Sequence, residues 1–300
     1  MPAFKGSWVK KLALTIILIC LVFLLTFSFV SFYRQSHPPR WPSHETPKTY
    51  GLDYETVEFN STDGLKAKGW FIPAGKEKKP AIIITHGFGA DKSDVLVLTP
   101  FLHKAGYHLF LFDFRGHGEH PATYTSFGYK EQNDIKGALD YVAGRPEVET
   151  EKIGGFGISM GGAAMVIVAA KDQRLKALWL DSPYESLDLA MDAHFKLAFR
   201  APKFPFAYFG YLNYCLWFGR WPTQISTIKA IDKISPRPIF IINGADDVIT
   251  PPWGARRLYD KAQEPKGIWI ATGARHTEAY GVNSREYEEK AGKFFQKAFK

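Results

Sequence analysis

Four short runs constrain this chain more than any other feature. Residues 81–85, 108–112, 175–180 and 239–242 read AIIIT, HLFLF, LKALWL and IFII, almost without polar interruption. A strand with one wet face alternates apolar and polar residues, whereas a continuous run predicts a strand buried on both faces. Helix-patterned stretches lie between these runs, among them Tyr129 to Ala143 and Gly161 to Ala170, and Ser284 to Lys300 closes the chain as an amphipathic helix. Buried strands alternating with helices predict an α/β fold, a mostly parallel central sheet with helices on both faces and right-handed crossovers. Ligands then belong at the carboxyl ends of the strands. Ahead of this pattern, Thr56 to Asn60 and Leu65 to Ile72, joined by the turn Ser61-Thr62-Asp63-Gly64, predict a hairpin.

The N-terminus is different in kind. Leu12 to Tyr33 carries no charged residue and is dense in Leu, Ile, Val and Phe. As a helix it is about 33 Å long, enough to cross a hydrocarbon core of about 30 Å. Lys5, Lys10 and Lys11 precede it, while Arg34 and Arg40 follow with Glu45 nearby. That bias predicts a cytoplasmic N-terminus and an exported remainder. A cleaved signal peptide is the alternative, but the run is longer than the usual apolar core of about 7–15 residues and lacks a small-x-small site. The expected organisation is therefore a cytoplasmic N-terminus (1–11), an uncleaved signal-anchor helix (12–33), a proline-rich extended spacer (34–48) and one catalytic domain (49–300). Within that domain residues 185–231 are crowded with aromatics, including Phe195, Phe204, Tyr211, Trp217 and Trp221, and predict a helical insertion over the sheet.

Composition excludes several other classes. Two cysteines, Cys20 and Cys215, make no disulfide framework and no metal spacing. The formal charge of +8 is scattered, with no basic stripe, so nucleic acid is not an expected partner. The partner expected on this evidence is membrane lipid, through the anchor. No cofactor and no metal are expected.

The chemistry centres on Gly154-Gly155-Phe156-Gly157-Ile158-Ser159-Met160-Gly161-Gly162, a strand end running into a helix. A serine in G-x-S-x-G on such a turn predicts a nucleophile, and the helix N-terminus behind it faces a developing oxyanion. Such a serine needs a base, and the base an orienting acid. Of nine histidines, His276 follows a late strand, Gly267 to Thr272, and is the expected base. The loop after Ile239 to Ile242 offers Asp246 and Asp247; Asp247, four residues before Pro251, is the choice over Asp246, with Asp181 as a third candidate one strand earlier. Met160 and Phe88 are the expected backbone donors of an oxyanion hole. His86 is expected to be structural rather than a second base. Asp113-Phe114-Arg115-Gly116-His117-Gly118 is expected to be a packed turn beside the site, since Asp113 and His117 alone do not make a metal site.

With these residues assembled, the chain from Thr56 to Lys300 resembles the α/β-hydrolase superfamily. The resemblance is carried by His86-Gly87-Phe88-Gly89, the Asp113 to Gly118 turn, the Ser159 elbow, the Gly244 to Pro251 loop and His276. Within the superfamily it is similar to the membrane-anchored Bem46-like and YqkD-like serine hydrolases, often labelled serine aminopeptidase or dienelactone hydrolase-like. Asn243 departs from the histidine that relatives often carry before the glycine. The resemblance implies a Ser159-Asp247-His276 triad and a carboxylesterase-like hydrolysis of an ester or thioester, and the aromatic insertion, as an apolar wall over the strand ends, predicts a small-molecule or lipid-like acyl substrate with a hydrophobic acyl group. Peptidase or acyltransferase action is the nearer alternative, and a non-catalytic anchored binding domain the more distant one.

Overall fold

The computed structural model describes residues 5–40, 45–200, 203–204 and 206–300. Residues 1–4 of the expected cytoplasmic N-terminus and 41–44 of the expected spacer lie outside the described residues. The strands are β1 (Glu55–Asn60), β2 (Lys66–Ile72), β3 (Lys79–Thr85), β4 (His108–Phe112), β5 (Val148–Ile158), β6 (Leu175–Asp181), β7 (Ile239–Gly244) and β8 (Lys266–Ala271). They form one sheet in the order β1-β2-β4-β3-β5-β6-β7-β8. The β1–β2 and β2–β4 pairs are antiparallel and all others parallel. This is the sheet that the resemblance implies.

The helices are α1 (Lys5–Ser36), α2 (Thr99–Lys104), α3 (Glu131–Ala143), α4 (Met160–Ala169), α5 (Leu187–Phe199), α6 (Phe206–Phe218), α7 (Pro252–Lys261), α8 (Ala279–Val282) and α9 (Ser284–Ala298). The continuous apolar runs are explained by two cores, one on each face of the sheet. Ala81 and Ile83 of β3 join Phe110 and Phe112 of β4 in a core shared with Ile135 of α3, Met165 of α4 and Leu258 of α7. Ile82 and Ile84 join Leu109 and Leu111 in the opposite core, with Leu102 of α2 and Tyr287 and Phe295 of α9. Successive side chains of a strand point to opposite faces, so a doubly covered strand needs an apolar residue at every position.

Between β6 and β7 the expected helical insertion consists of α5 and α6. The N-terminal helix extends past its apolar run at both ends and stops at Ser36, ahead of Pro38 and Pro39. Its segment Trp8–Ser36 is long and apolar enough to cross a membrane. The C-terminal part of α1 is docked rather than free. Phe32 is only 4% exposed and packs edge-on against Tyr214 and Phe218 of α6. Ser36 O accepts the Thr125 N–H at 2.8 Å. The described part of the expected spacer is likewise held to the domain: Arg40 donates to the carbonyls of His120 and Ala122, and Pro47 is buried. Proline-rich composition predicts no regular structure, but it does not prevent tertiary partners.

Candidate active site

β5 ends at Ile158 and α4 begins at Met160, leaving Ser159 alone in the turn with φ 50° and ψ −115°. A non-glycine residue in this region is strained and persists only where its surroundings enforce it. The enforcement is visible. The Ser159 N–H donates to the Asp181 carbonyl at 2.7 Å, and the flanking glycines let the chain close up. A Cβ on Gly161 would stand 2.5 Å from the His86 carbonyl oxygen and 2.6 Å from Thr85 Oγ1, and one on Gly157 would collide with Gly162 Cα.

Ser159 Oγ lies 2.9 Å from His276 Nε2, and His276 Nδ1 lies 2.7 Å from Asp247 Oδ2. With Nδ1–H donated to the carboxylate, Nε2 is left to accept the serine hydroxyl, the tautomer a general base requires. The Asp247 carboxylate is itself anchored: Oδ1 accepts the Ile249 and Thr250 N–H groups, each at 2.8 Å, and Oδ2 accepts the Thr250 hydroxyl at 2.7 Å. Burial pushes this carboxyl up, but the hydrogen bond and charge of His276 and the Thr250 bonds outweigh it and hold it below its ordinary value. Asp246 is exposed, its N–H engaged with the Ala274 carbonyl. Asp181 is buried and accepts from Ser182 Oγ at 2.8 Å and the Tyr287 hydroxyl at 2.9 Å. Of the three candidate acids, only Asp247 is brought to His276 among the described residues.

The loop after β3 passes against the serine, since a Cβ on Gly87 would lie 3.3 Å from Ser159 Cβ. Among the described residues no acceptor takes the Phe88 or Met160 N–H, which leaves both available beside Ser159. His86 is fully buried and stands apart from the Ser159–His276 pair. Its Nδ1 donates to the Gly87 carbonyl at 2.7 Å, and its Nε2 accepts the Phe114 N–H at 3.0 Å. Burial lowers its pKa to about 4, so it is neutral at neutral pH. It thereby fastens the loop after β3 to the turn after β4.

That second turn is packed by charge pairing. Asp113 accepts from Lys92 Nζ at 2.7 Å and from the N–H groups of Lys92 and Glu119, each at 2.9 Å. Arg115, fully buried, pairs with buried Asp134 at 2.7 Å and with Asp63 at 2.8 Å. His117 Nδ1 donates to the Arg115 carbonyl at 2.9 Å. The Asp113 carboxylate is thus matched to an ammonium group, not held open for a metal ion. Among the described residues no group of three or more His, Cys, Asp or Glu could hold one.

Ser159 opens into a cavity of about 620 Å³ lined by α5, α6 and α1, with Phe88, Met191, Phe195, Gly210 and Phe27 in its wall. Pockets of this size and character hold small hydrophobic ligands. Two features escape the sequence reading. Thr250 and Asn243 brace the acid, Asn243 Nδ2 donating to the Thr250 carbonyl at 2.8 Å, and their contacts cross a turn that no pattern reveals. The N-terminal helix also lines the site, where sequence assigned it an anchoring role alone. Its signal was present in Ser28, Ser31 and Gln35, polar residues spaced to fall on one face of the helix.

Residues 76–209 match the family described as serine aminopeptidase, S33. Over 242 residues, 78% of each chain, the sequence is 29% identical to the uncharacterized protein YfhR of Escherichia coli (strain K12). It is 25% identical over 236 residues to the uncharacterized protein YqkD of Bacillus subtilis (strain 168), covering 78% of this chain and 76% of that one. The solved structure of the Pyrococcus furiosus esterase Pf2001 superposes with a TM-score of 0.74 at 26% identity, covering 88% of this chain and 98% of that one.

Proposed function

We propose that this chain, which has an α/β-hydrolase fold, is a serine hydrolase cleaving a carboxylic ester or thioester with a hydrophobic acyl group. The observation that carries the reading is Ser159 Oγ at 2.9 Å from an imidazole backed by Asp247, at the mouth of an apolar cavity. In the proposed cycle His276 Nε2 takes the Ser159 proton as Oγ attacks the carbonyl carbon, and the Phe88 and Met160 N–H groups hold the oxyanion. The imidazolium, stabilised by Asp247, gives its proton to the departing alcohol or thiol, leaving an acyl-enzyme. His276 then deprotonates water, which attacks the acyl carbon, and the proton returns to Ser159 as the acid leaves.

A fluorophosphonate probe tests this directly. The expected result is a covalent adduct on Ser159, abolished in Ser159→Ala; folded protein that forms no adduct would leave the reading of a non-catalytic anchored domain. Peptidase action is the second reading, favoured by the description of the matching family. An aminopeptidase needs a carboxylate to receive the substrate ammonium, yet no Asp or Glu lines the cavity among the described residues. Turnover of p-nitrophenyl esters in preference to peptide p-nitroanilides is therefore expected. The same proposal places α1 across the membrane with the hydrolase domain on the extracytoplasmic side, as Lys10 and Lys11 before the apolar run suggest. Protease added to intact cells should then remove the domain.

A further inference from the structure

We propose that α1 is a wall of the acyl-binding site and that the substrate is a long-chain acyl ester resident in the membrane, reaching Ser159 sideways from the leaflet around α1; this rests on the serine-hydrolase reading above. The cavity that begins at Ser159 continues along α1, where Phe23, Leu24, Phe27, Ser28, Ser31 and Gln35 line it. From Phe23 to Gln35 the helix axis advances about 18 Å, a length suited to a long chain rather than an acetyl group.

The position of that wall in a bilayer follows from the sequence. If the apolar run starting at Leu12 fills the hydrocarbon core, about 20 residues cross it, so Phe23 to Ser31 occupies the half nearest the hydrolase domain. Along this stretch the lining is wholly apolar at Phe23, Leu24 and Phe27 and gains Ser28, Ser31 and Gln35, beside Phe32, towards the domain. An acyl ester in that leaflet has the same polarity order, with its tail at depth and its carbonyl near the surface. Ser28 of α1 turns towards protein, its Oγ accepting from Asn213 Nδ2 of α6 at 2.9 Å.

The insertion supplies an independent observation. It exposes Leu197, Phe204 and Leu216 at 50%, 75% and 76%. Apolar residues in such number are costly against water but favourable in an acyl-headgroup boundary. Lys196 and Arg200, also exposed, sit beside them on α5 and its end, as side chains do that reach from apolar surroundings to headgroups. The segment packed on α1 thus enters the same leaflet, and the cavity between the two opens where lipid chains are the solvent. The covalent step is hydrolysis: the Ser159 Oγ–acyl bond forms as the ester C–O bond breaks, His276 passes the proton to the leaving oxygen, and water completes release of the fatty acid.

The test uses the full-length protein in phosphatidylcholine vesicles, with p-nitrophenyl butyrate in the buffer and p-nitrophenyl palmitate in the bilayer. Ser31→Trp fills the cavity from α1; Gly210→Leu fills it from α6, where a Cβ would meet only Met191 Cε at 3.7 Å. Leu14→Trp, on the exposed part of α1 away from the cavity, is the control. Both filling variants should lower the palmitate-to-butyrate ratio of kcat/KM by about tenfold or more relative to the control. Palmitate ester in the protein's own vesicles should be hydrolysed faster than the same ester in separate, protein-free vesicles. Fluorophosphonate labelling of Ser159 reports an intact site in each variant, and Gly210→Leu, which raises helix propensity, decides the matter should Ser31→Trp fail to label. An unchanged ratio in labelled variants, or equal rates from the two vesicle populations, overturns the proposal. Hydrolysis of butyrate without palmitate overturns it while leaving the serine-hydrolase reading in place. Absence of labelling and of all ester turnover in the wild type removes that reading, and this proposal with it.

Discussion

His276 Nδ1 lies 2.7 Å from Asp247 Oδ2, whereas Asp246, one residue earlier, is exposed. A one-residue step along the loop decides which carboxylate can fix the imidazole tautomer. Asp247→Asn should lower kcat towards p-nitrophenyl esters by about 10³–10⁴, and Asp246→Asn should leave it near wild type. Parallel steady-state assays suffice, and a larger loss from Asp246→Asn would reverse the assignment.

His86 and His276 should separate in their effects. His86→Ala leaves the Phe114 N–H and the Gly87 carbonyl, both buried near the site, without their imidazole partner. Each unsatisfied group costs about 1–3 kcal/mol, so thermal melting should fall by several degrees. His276→Ala, at a ring that is partly exposed, should melt near wild type while turnover is lost. Equal melting temperatures for the two variants would contradict the structural role of His86.

Gly161→Ala should disable the site without removing any reacting group. Its new Cβ would press on the His86 carbonyl oxygen and Thr85 Oγ1, both backbone-adjacent to the loop that carries Phe88. The loop must shift, taking a proposed oxyanion donor with it. Loss of one such donor costs about 10²–10³ in kcat. Turnover should fall by that order with a smaller change in KM; wild-type kcat would show that the turn tolerates the methyl group.

Stability should decline as pH falls below neutral. Burial is the leading cause holding His86 and His117 at about 4 and His120 at about 3. Each is neutral in the folded chain, whereas the unfolded chain binds the proton near pH 6.5. Their contribution is fully present above about pH 6.5 and is lost progressively as pH falls towards the folded values. Denaturant midpoints measured between pH 7.5 and pH 5.5 should therefore drop on acidification. A midpoint independent of pH across that window would show that these rings are not held neutral.

Much of the fold was legible because its causes are local. The runs from Ala81 to Thr85 and His108 to Phe112 state their double burial by lacking alternation, and two cores explain them. The Ser159 elbow was legible for the same reason: strand, glycine-flanked turn and helix are contiguous. Asp247 was chosen over Asp246 from a loop pattern, its spacing to Pro251, while the contact of its carboxylate with His276 appears only in the folded loop. Thr250 and Asn243 were missed because their roles are contacts across a folded turn.

By itself the sequence determined a doubly covered parallel sheet, a serine on a strand-to-helix turn, and an apolar helix long enough for a bilayer, since each is written in neighbouring residues. Tertiary structure alone decided where that helix goes after Pro38 and Pro39 end it. Ser28, Ser31 and Gln35 mark one face of that helix, but their order does not say what the face meets. Tertiary contacts such as the packing of Phe32 against α6, of Phe27 against Phe199 of α5, and the bond from Asn213 to Ser28 turn one face towards Ser159. Which side chains meet across a folded chain is set by the geometry of all its elements together, and residue order does not carry it.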